Sequence, residues 1–162
     1  MNATINEQTV EMSEAFFASL PDEPAAIKAQ TFRAVTGLEY QTFDAICIGQ
    51  TNIPANLSAK QILSGVRMLL GLRSKEAAEL LGVSESGISR GKQVDLHMLD
   101  RVEGMSDAFA RVALVLGLDA KRWFRDPNPA LQNAAPYTLM STQYGQKKID
   151  NLITSLLNGA VV

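Results

Sequence analysis

Apolar residues in this chain recur at helical spacing between polar caps and glycines. Ser58 and Gln61 form a capping box, in which Ser begins a helix and Gln follows three residues later. The apolar residues that follow recur at i, i+4, i+7 and i+8, and Gly71 ends the run. Near the C-terminus the same pattern runs from Thr142, as the cap, to Gly159. No segment shows the alternation of a β-strand, so the pattern predicts an all-α fold. The apolar positions of the two helices are Ile62, Leu63, Val66, Leu69 and Leu70, and Ile149, Leu152, Ile153, Leu156 and Leu157.

Weaker signals place four further helices. Proline near a helix start and glycine just after its end are the signals used, together with apolar spacing. Gly104 lies inside the longest of them and is expected to break or kink it, because glycine lowers helix propensity. The four predictions are a helix from Pro24 to Val35 with Gly37 after it, one from Tyr40 to Ile48 ended by Gly49, one from Asp95 to Leu116, and a short helix capped by Asp119 that runs through Trp123.

Length and composition indicate a soluble globular protein. The chain has 162 residues, 46% of them hydrophobic and 20% charged, which corresponds to one domain or two small ones. The single cysteine, Cys47, excludes an internal disulfide and is expected to be a buried small hydrophobe. A lone thiol fits a reducing compartment, so we expect a cytoplasmic protein with no signal peptide and no membrane contact.

Charge is distributed unevenly along the chain. The net charge of −2 argues weakly against nucleic-acid binding. However, residues 58–125 carry eleven basic and eight acidic side chains, whereas residues 1–57 carry two basic and seven acidic ones. A DNA-binding surface is therefore expected in the middle third of the chain.

A helix-turn-helix pattern lies within that middle third, between Ser74 and Arg90. Ala78 is small, as it must be where a second helix crosses over it, and Gly82 lies where the turn requires a positive φ. Ser84 is placed to cap the second helix. The outward positions of this helix are short and polar or basic, as in helices that enter a major groove. The alternative interpretation is an ordinary helical hairpin with a solvated face. The predicted DNA-binding residues are Lys75, Ser84, Glu85, Ser86, Ser89, Arg90 and Lys92.

The segment from Lys121 to Leu131 resembles a known protein family. Its Trp123-Phe124-Arg125-Asp126-Pro127-Asn128-Pro129-Ala130-Leu131 run is similar to the Trp-Leu-x-x-Pro-Asn-x-Ala-Leu segment in the toxin-binding domain of the Xre/MbcA/ParS antitoxins. The resemblance extends over about residues 58–162 and includes the later positions Pro136, Leu139, Thr142, Gly145 and Gly159. Where the family usually has Gly-Gly-Arg-Thr-Pro, this chain has Gln132-Asn133-Ala134-Ala135-Pro136.

The resemblance implies a function and a set of partners. It implies an antitoxin that neutralises a RES-domain toxin consuming NAD, that forms a homodimer, and that represses its own operon by binding operator DNA. The linker-like stretch Gln50–Leu57, with Asn52, Pro54 and Asn56, places a domain boundary before the resembling part. Three segments are therefore expected: an N-terminal helical extension (1–57), a helix-turn-helix domain (58–94) and a toxin-binding C-terminal domain (95–162). The terminal Ala160-Val161-Val162 is expected to enter the toxin's active site. The predicted toxin-binding residues are Trp123, Arg125, Pro127, Asn128, Pro129, Leu131, Gly159, Ala160, Val161 and Val162.

No catalytic or cofactor site is expected. The only histidine is His97, so neither a histidine metal cluster nor a Ser-His-Asp triad can form within the chain. Glu76 and Glu79 share one helical face and are expected to lie in solvent. Two alternatives remain: a free-standing helix-turn-helix repressor without a toxin partner, and a protein-interaction module whose helix-turn-helix does not bind DNA.

Overall fold

Eight α-helices account for most of the part of the chain that the computed structural model describes, Phe16 and residues 23–159. The described residues do not include those before Glu23, apart from Phe16. They also do not include Ala160–Val162, the tail that is predicted to enter the toxin's active site. The helices are α1 (Pro24–Thr36), α2 (Tyr40–Cys47), α3 (Ala59–Leu70), α4 (Ser74–Leu81), α5 (Glu85–Ser89), α6 (Leu96–Leu116), α7 (Ala120–Arg125) and α8 (Gln143–Leu157). Three short 3-10 helices, Gly117–Asp119, Pro129–Leu131 and Pro136–Leu139, connect the last elements. These residues contain no strand, so the all-α prediction is confirmed.

Side-chain caps set the beginnings of α3 and α8. Ser58 Oγ accepts a hydrogen bond from the Gln61 amide at 3.4 Å, and Thr142 Oγ1 accepts one from the Gly145 amide at 3.0 Å. Both predicted caps are therefore confirmed. The prediction that the Asp119 side chain caps α7 is wrong, because Asp119 belongs to the 3-10 turn before α7 and its side chain accepts no capping hydrogen bond.

Gly104 does not interrupt α6, which continues through it. A Cβ atom at this position would lie about 2.5 Å from the side-chain nitrogen of Gln146 on α8. The glycine therefore leaves room for the Gln146 side-chain amide, which donates to the Met140 carbonyl oxygen at 3.3 Å. The predicted break at Gly104 was wrong.

One hydrophobic core holds the N-terminal helices and the C-terminal helices together. Helix α1 packs mainly on α6 and also on α3, and α8 packs on α6. Phe32 of α1, Ile62 of α3 and Phe109 of α6 are fully buried in the same cluster, which also includes Ile153 of α8. The core thus extends across the boundary predicted near residue 57, and the three-segment division stays a prediction. Among the described residues, no helix is both long and apolar enough to cross a bilayer.

Cys47 is exposed, so the prediction that it is buried was wrong. Helix α2 turns Phe43 and Ile46 into the core, and these positions define its inner face. Cys47 and the following Ile48, which is 68% exposed, come one and two residues later and lie on the outer side. An apolar run at the end of a short helix does not specify which of its members faces the core.

Candidate functional site

The predicted helix-turn-helix segment folds as two short helices around a glycine turn. Ala78 is 2% exposed, and Leu81 and Ile88 are buried between α4 and α5. Gly82 has φ 69°, and the amide that follows it, of Val83, donates to the Ala78 carbonyl oxygen at 3.0 Å. This pair of features reverses the chain after α4. The roles assigned to Ala78 and Gly82 from the sequence are therefore seen in the structure.

The outer face of α5 is polar and open to solvent. Ser84 caps the helix, since its Oγ accepts a hydrogen bond from the Gly87 amide at 3.0 Å. The predicted DNA-contacting residues on and around α5, together with Lys75 on α4, are all exposed. These exposed residues are Lys75, Ser84, Glu85, Ser86, Ser89, Arg90 and Lys92. Their arrangement is compatible with contact to a nucleic acid, and the contact itself stays a prediction.

Helix α5 is shorter than the sequence indicated. It has five residues, and Arg90 is its C-cap rather than an interior position. Gly91 has φ 91°, and the Lys92 amide donates to the Gly87 carbonyl oxygen at 3.1 Å, which is the hydrogen bond of a helix stop. Lys92 Nζ lies 3.6 Å from the Asp95 carboxylate. Gly91 stands where an apolar residue usually completes the core wedge of a helix-turn-helix, and here it ends the helix instead.

Glu76 joins α4 to the C-terminal part of the chain. Its carboxylate accepts hydrogen bonds from the Arg73 amide at 2.8 Å and from the Tyr137 hydroxyl at 3.1 Å. Hydrogen bonds from Arg73 hold the pKa of Glu76 below its usual range, and burial raises the pKa of Tyr137. The side chain of Glu76 is 17% exposed, so the prediction that it lies in solvent was wrong. Contact with Tyr137, 61 residues away, is the reason.

Two of the predicted toxin-binding residues are structural. Trp123 is buried, and its ring meets Phe124 edge to face with centroids 5.0 Å apart. Asn128 is also buried, and its Oδ1 accepts a hydrogen bond from the Ala130 amide at 3.0 Å. Both residues shape the surface from beneath, and neither offers a large exposed side chain to a partner.

The segment 126–136, called here the proline loop, is closed by backbone hydrogen bonds. The Asn128 amide donates to the Ala134 carbonyl oxygen at 3.0 Å, and the Asn133 amide donates to the Asn128 carbonyl oxygen at 2.9 Å. Gln132 and Asn133 have φ values of 56° and 66°. These are the two positions at which the antitoxin family usually has Gly-Gly, so the loop keeps a left-handed backbone without the residue that adopts it most easily.

Two depressions flank the proline loop. On one side is a cleft of about 260 Å³, and on the other, between the loop and α8, is a groove of about 550 Å³. The cleft is lined by Leu116, Asp119, Arg122, Trp123, Asp126, Pro127, Asn128 and Pro129. The groove is lined by Ala130, Leu131, Gln132, Ala134, Leu139, Lys148, Asn151, Leu152 and Ser155.

The structure separates the predicted toxin-binding residues into several places. Four of them line the cleft, and Leu131 lines the groove. Arg125 lies elsewhere, with Nη1 close to Gly71 at the end of α3 and Nε 3.5 Å from the Asp126 carboxylate. Gly159 follows the end of α8 with φ 83°. Lys148, Asn151 and Ser155 also line the groove but were not predicted from the sequence. They come close to Leu131 only when the loop docks against α8.

The described residues provide no group of three histidine, cysteine or carboxylate side chains that could hold a metal ion. Of the two carboxylates that line the cleft, Asp126 lies 3.6 Å from Arg122 and 3.5 Å from Arg125.

Comparison with known proteins bears on the same part of the chain. No curated protein and no solved structure is significantly similar to it. One family model matches, over less than a third of the chain, and this match supports an antitoxin role. Residues 112–159 are similar to the C-terminal toxin-binding domain of the Xre/MbcA/ParS antitoxins. This segment contains the proline loop, α8 and all the residues that line the two depressions.

Proposed function

We propose that this chain is an antitoxin that binds and neutralises a RES-domain toxin, which consumes NAD, and that represses its own operon in the cytoplasm. The observation that carries the proposal is the match of residues 112–159 to a toxin-binding domain. The exposed polar face of α5 supports the second activity. The protein acts by binding and is not an enzyme.

Neutralisation is tested by co-expression. The product of the reading frame adjacent to this chain's gene is produced with and without the chain, and cellular NAD is measured. The proposal requires that the neighbouring product deplete NAD alone and that this chain prevent the loss. A free-standing repressor would leave NAD unchanged in both cases, because it has no toxin to oppose.

The C-terminal tail is assigned the role of a plug in the toxin's active site. Three small apolar residues at a terminus add little to a core. Truncation after Asn158 is expected to leave the melting temperature within a few degrees and DNA binding intact, and to abolish protection of NAD. Full protection by the truncated chain would exclude the plug.

Repression requires two copies of the chain. A single α5 of five residues can reach few base pairs, so a homodimer is expected on an inverted repeat, with half-sites about one helical turn apart or a multiple of it. Footprinting on the chain's own promoter and sedimentation of the free protein test this. A monomer that protects one isolated half-site would contradict it.

A second candidate is an interaction module that does not bind DNA. It is favoured by the shortness of α5 and by the pairing of Lys92 with Asp95. The two candidates differ in a mobility-shift titration with promoter DNA at several salt concentrations. DNA binding that weakens steeply with salt supports repression, and no shift at low salt supports the interaction module.

A further inference from the structure

The groove between the proline loop and α8 differs in chemistry from the cleft on the other side of the loop. Leu131, Leu139 and Leu152 provide apolar surface in it, and Leu152 is almost fully buried. Its polar lining consists of the Gln132 and Asn151 amides, the Ser155 hydroxyl and the Lys148 ammonium group, with no carboxylate. The cleft instead contains Asp119 and Asp126 with one arginine, Arg122. The groove lining therefore carries one formal positive charge, on Lys148, whose Nζ lies 5.3 Å from the centroid of the exposed Tyr144 ring, and the cleft lining carries a net formal charge of −1.

One face of α8 forms the outer wall of the groove. Lys148, Asn151, Leu152 and Ser155 follow each other at i, i+3, i+4 and i+7, which places them on the same side of the helix. Lys148 and Ser155 are exposed. Each has a neighbour one position earlier, Lys147 and Thr154, that is also exposed but is not part of the groove.

The opposite wall is rigid before any partner arrives. Hydrogen bonds from the Leu131 and Asn133 amides to the single Asn128 carbonyl oxygen, both 2.9 Å long, hold the loop closed. Gln132 keeps a left-handed backbone that costs free energy. Such strain is found most often where a surface has a function. A preformed wall also lowers the entropy lost on binding.

We propose that this groove, rather than the cleft, is where the toxin docks, and that it receives an apolar side chain of the toxin with a toxin carboxylate beside it. The apolar side chain packs on the three leucines and the carboxylate pairs with Lys148. This inference rests on the proposed antitoxin function. The residues that line the groove and those that line the cleft all fall within the segment that matches the toxin-binding domain, so the charge and the preformed loop wall are what distinguish the groove.

Matched substitutions on α8 test the assignment in the full-length chain. Ser155→Arg places a long charged side chain in the groove, whereas Thr154→Arg adds the same charge one position away. Lys148→Glu reverses the charge of the groove, and Lys147→Glu makes the same reversal outside it. Asp119→Arg reverses the charge of a side chain that lines the cleft, from negative to positive. Binding of each variant to the purified product of the adjacent reading frame is measured by biolayer interferometry, and melting temperatures establish that all the variants fold.

Ser155→Arg and Lys148→Glu are expected to weaken binding by at least about tenfold, and the other three variants to stay within about twofold of the unaltered chain. The loss in Lys148→Glu is expected to diminish at high salt, because the pair it removes is screened there. The groove assignment would be overturned if Ser155→Arg bound as well as Thr154→Arg and Lys148→Glu bound as well as Lys147→Glu. It would also be overturned if Asp119→Arg alone lost binding. If the unaltered chain itself does not bind the neighbouring product, the proposed function fails and this inference fails with it.

Discussion

Gln132 and Asn133 adopt a backbone conformation for which their side chains are poorly suited. Both have positive φ, and a residue with a Cβ atom is strained there, although asparagine tolerates it better than most. The backbone hydrogen bonds around Asn128 nevertheless impose the conformation. The loop therefore keeps its shape at the expense of stability at two adjacent residues.

Gln132→Gly is expected to stabilise the folded chain. Glycine removes the strain of the left-handed conformation, about 1–2 kcal/mol, while its greater freedom in the unfolded chain costs roughly 0.5–1 kcal/mol. The expected net gain is on the order of 0.5–1 kcal/mol, measured by urea denaturation. Gln132→Ala is the control and should give no gain, because alanine retains a Cβ atom. A glycine variant less stable than the alanine variant would show that the Gln132 side chain stabilises the loop by contacts of its own.

Single residues also show the limit of prediction from the sequence. Ser58 and Thr142 were assigned correctly because a helix cap depends on residues only three positions away. Glu76 and Cys47 were assigned wrongly because their environments depend on distant packing, of Tyr137 in one case and of the α2 core face in the other. The groove could not be predicted for the same reason, since its two walls meet only after the proline loop docks on α8.

The helices themselves were predicted closely where apolar spacing and an end signal agreed, as in α1, α3, α6 and α8. Helix α5 is the exception. Its sequence continues with polar and basic residues after Ser89, and nothing in the apolar spacing distinguishes a longer helix from a stop at Gly91. The proposed DNA-binding surface therefore has few side chains on α5, which has five residues.

Arg90 and Lys92 are expected to contribute to DNA binding in different ways. Arg90→Ala should cost about 1–3 kcal/mol on the promoter and relax sequence preference, because a guanidinium group reads base edges. Lys92→Ala should weaken binding evenly on all sequences and lower the salt slope by about one. Lys147→Ala, far from α5 in sequence, is the control. Unchanged promoter affinity for Arg90→Ala would exclude α5 as a recognition helix.

At the scale of the whole molecule, the Arg73–Glu76–Tyr137 cluster connects the helix-turn-helix segment with the C-terminal segment. Glu76 accepts from Arg73, the residue just before α4, and from Tyr137 in the 3-10 turn that leads to α8. The 3-10 turn packs against both α4 and α8. The two segments with proposed binding roles therefore share a hydrogen-bonded contact as well as a core.

Glu76→Gln is expected to lower stability in a pH-dependent way. The pKa of Glu76 is lowered in the folded chain, so the ionised carboxylate stabilises the fold above its ordinary pKa of 4.5, and this contribution is lost as the pH falls through the lower folded value. At pH 7 the variant should lose on the order of 1 kcal/mol, the contribution of a charge-assisted hydrogen bond. The difference from the unaltered chain should shrink below pH 4.5. A difference that is constant from pH 3 to 7 would mean that the charge of Glu76 is not what stabilises the contact.

The family match begins at Val112, inside α6, which starts at Leu96 and ends at Leu116. A crossover between related genes at that point would join two halves of one helix whose buried side, including Phe109, faces α1 and α8. The matched segment therefore shares a helix and a core with the residues before it and is not a separate structural unit. Substitutions on the exposed walls of the proline loop and α8 would alter its surface and leave the shared helix unchanged.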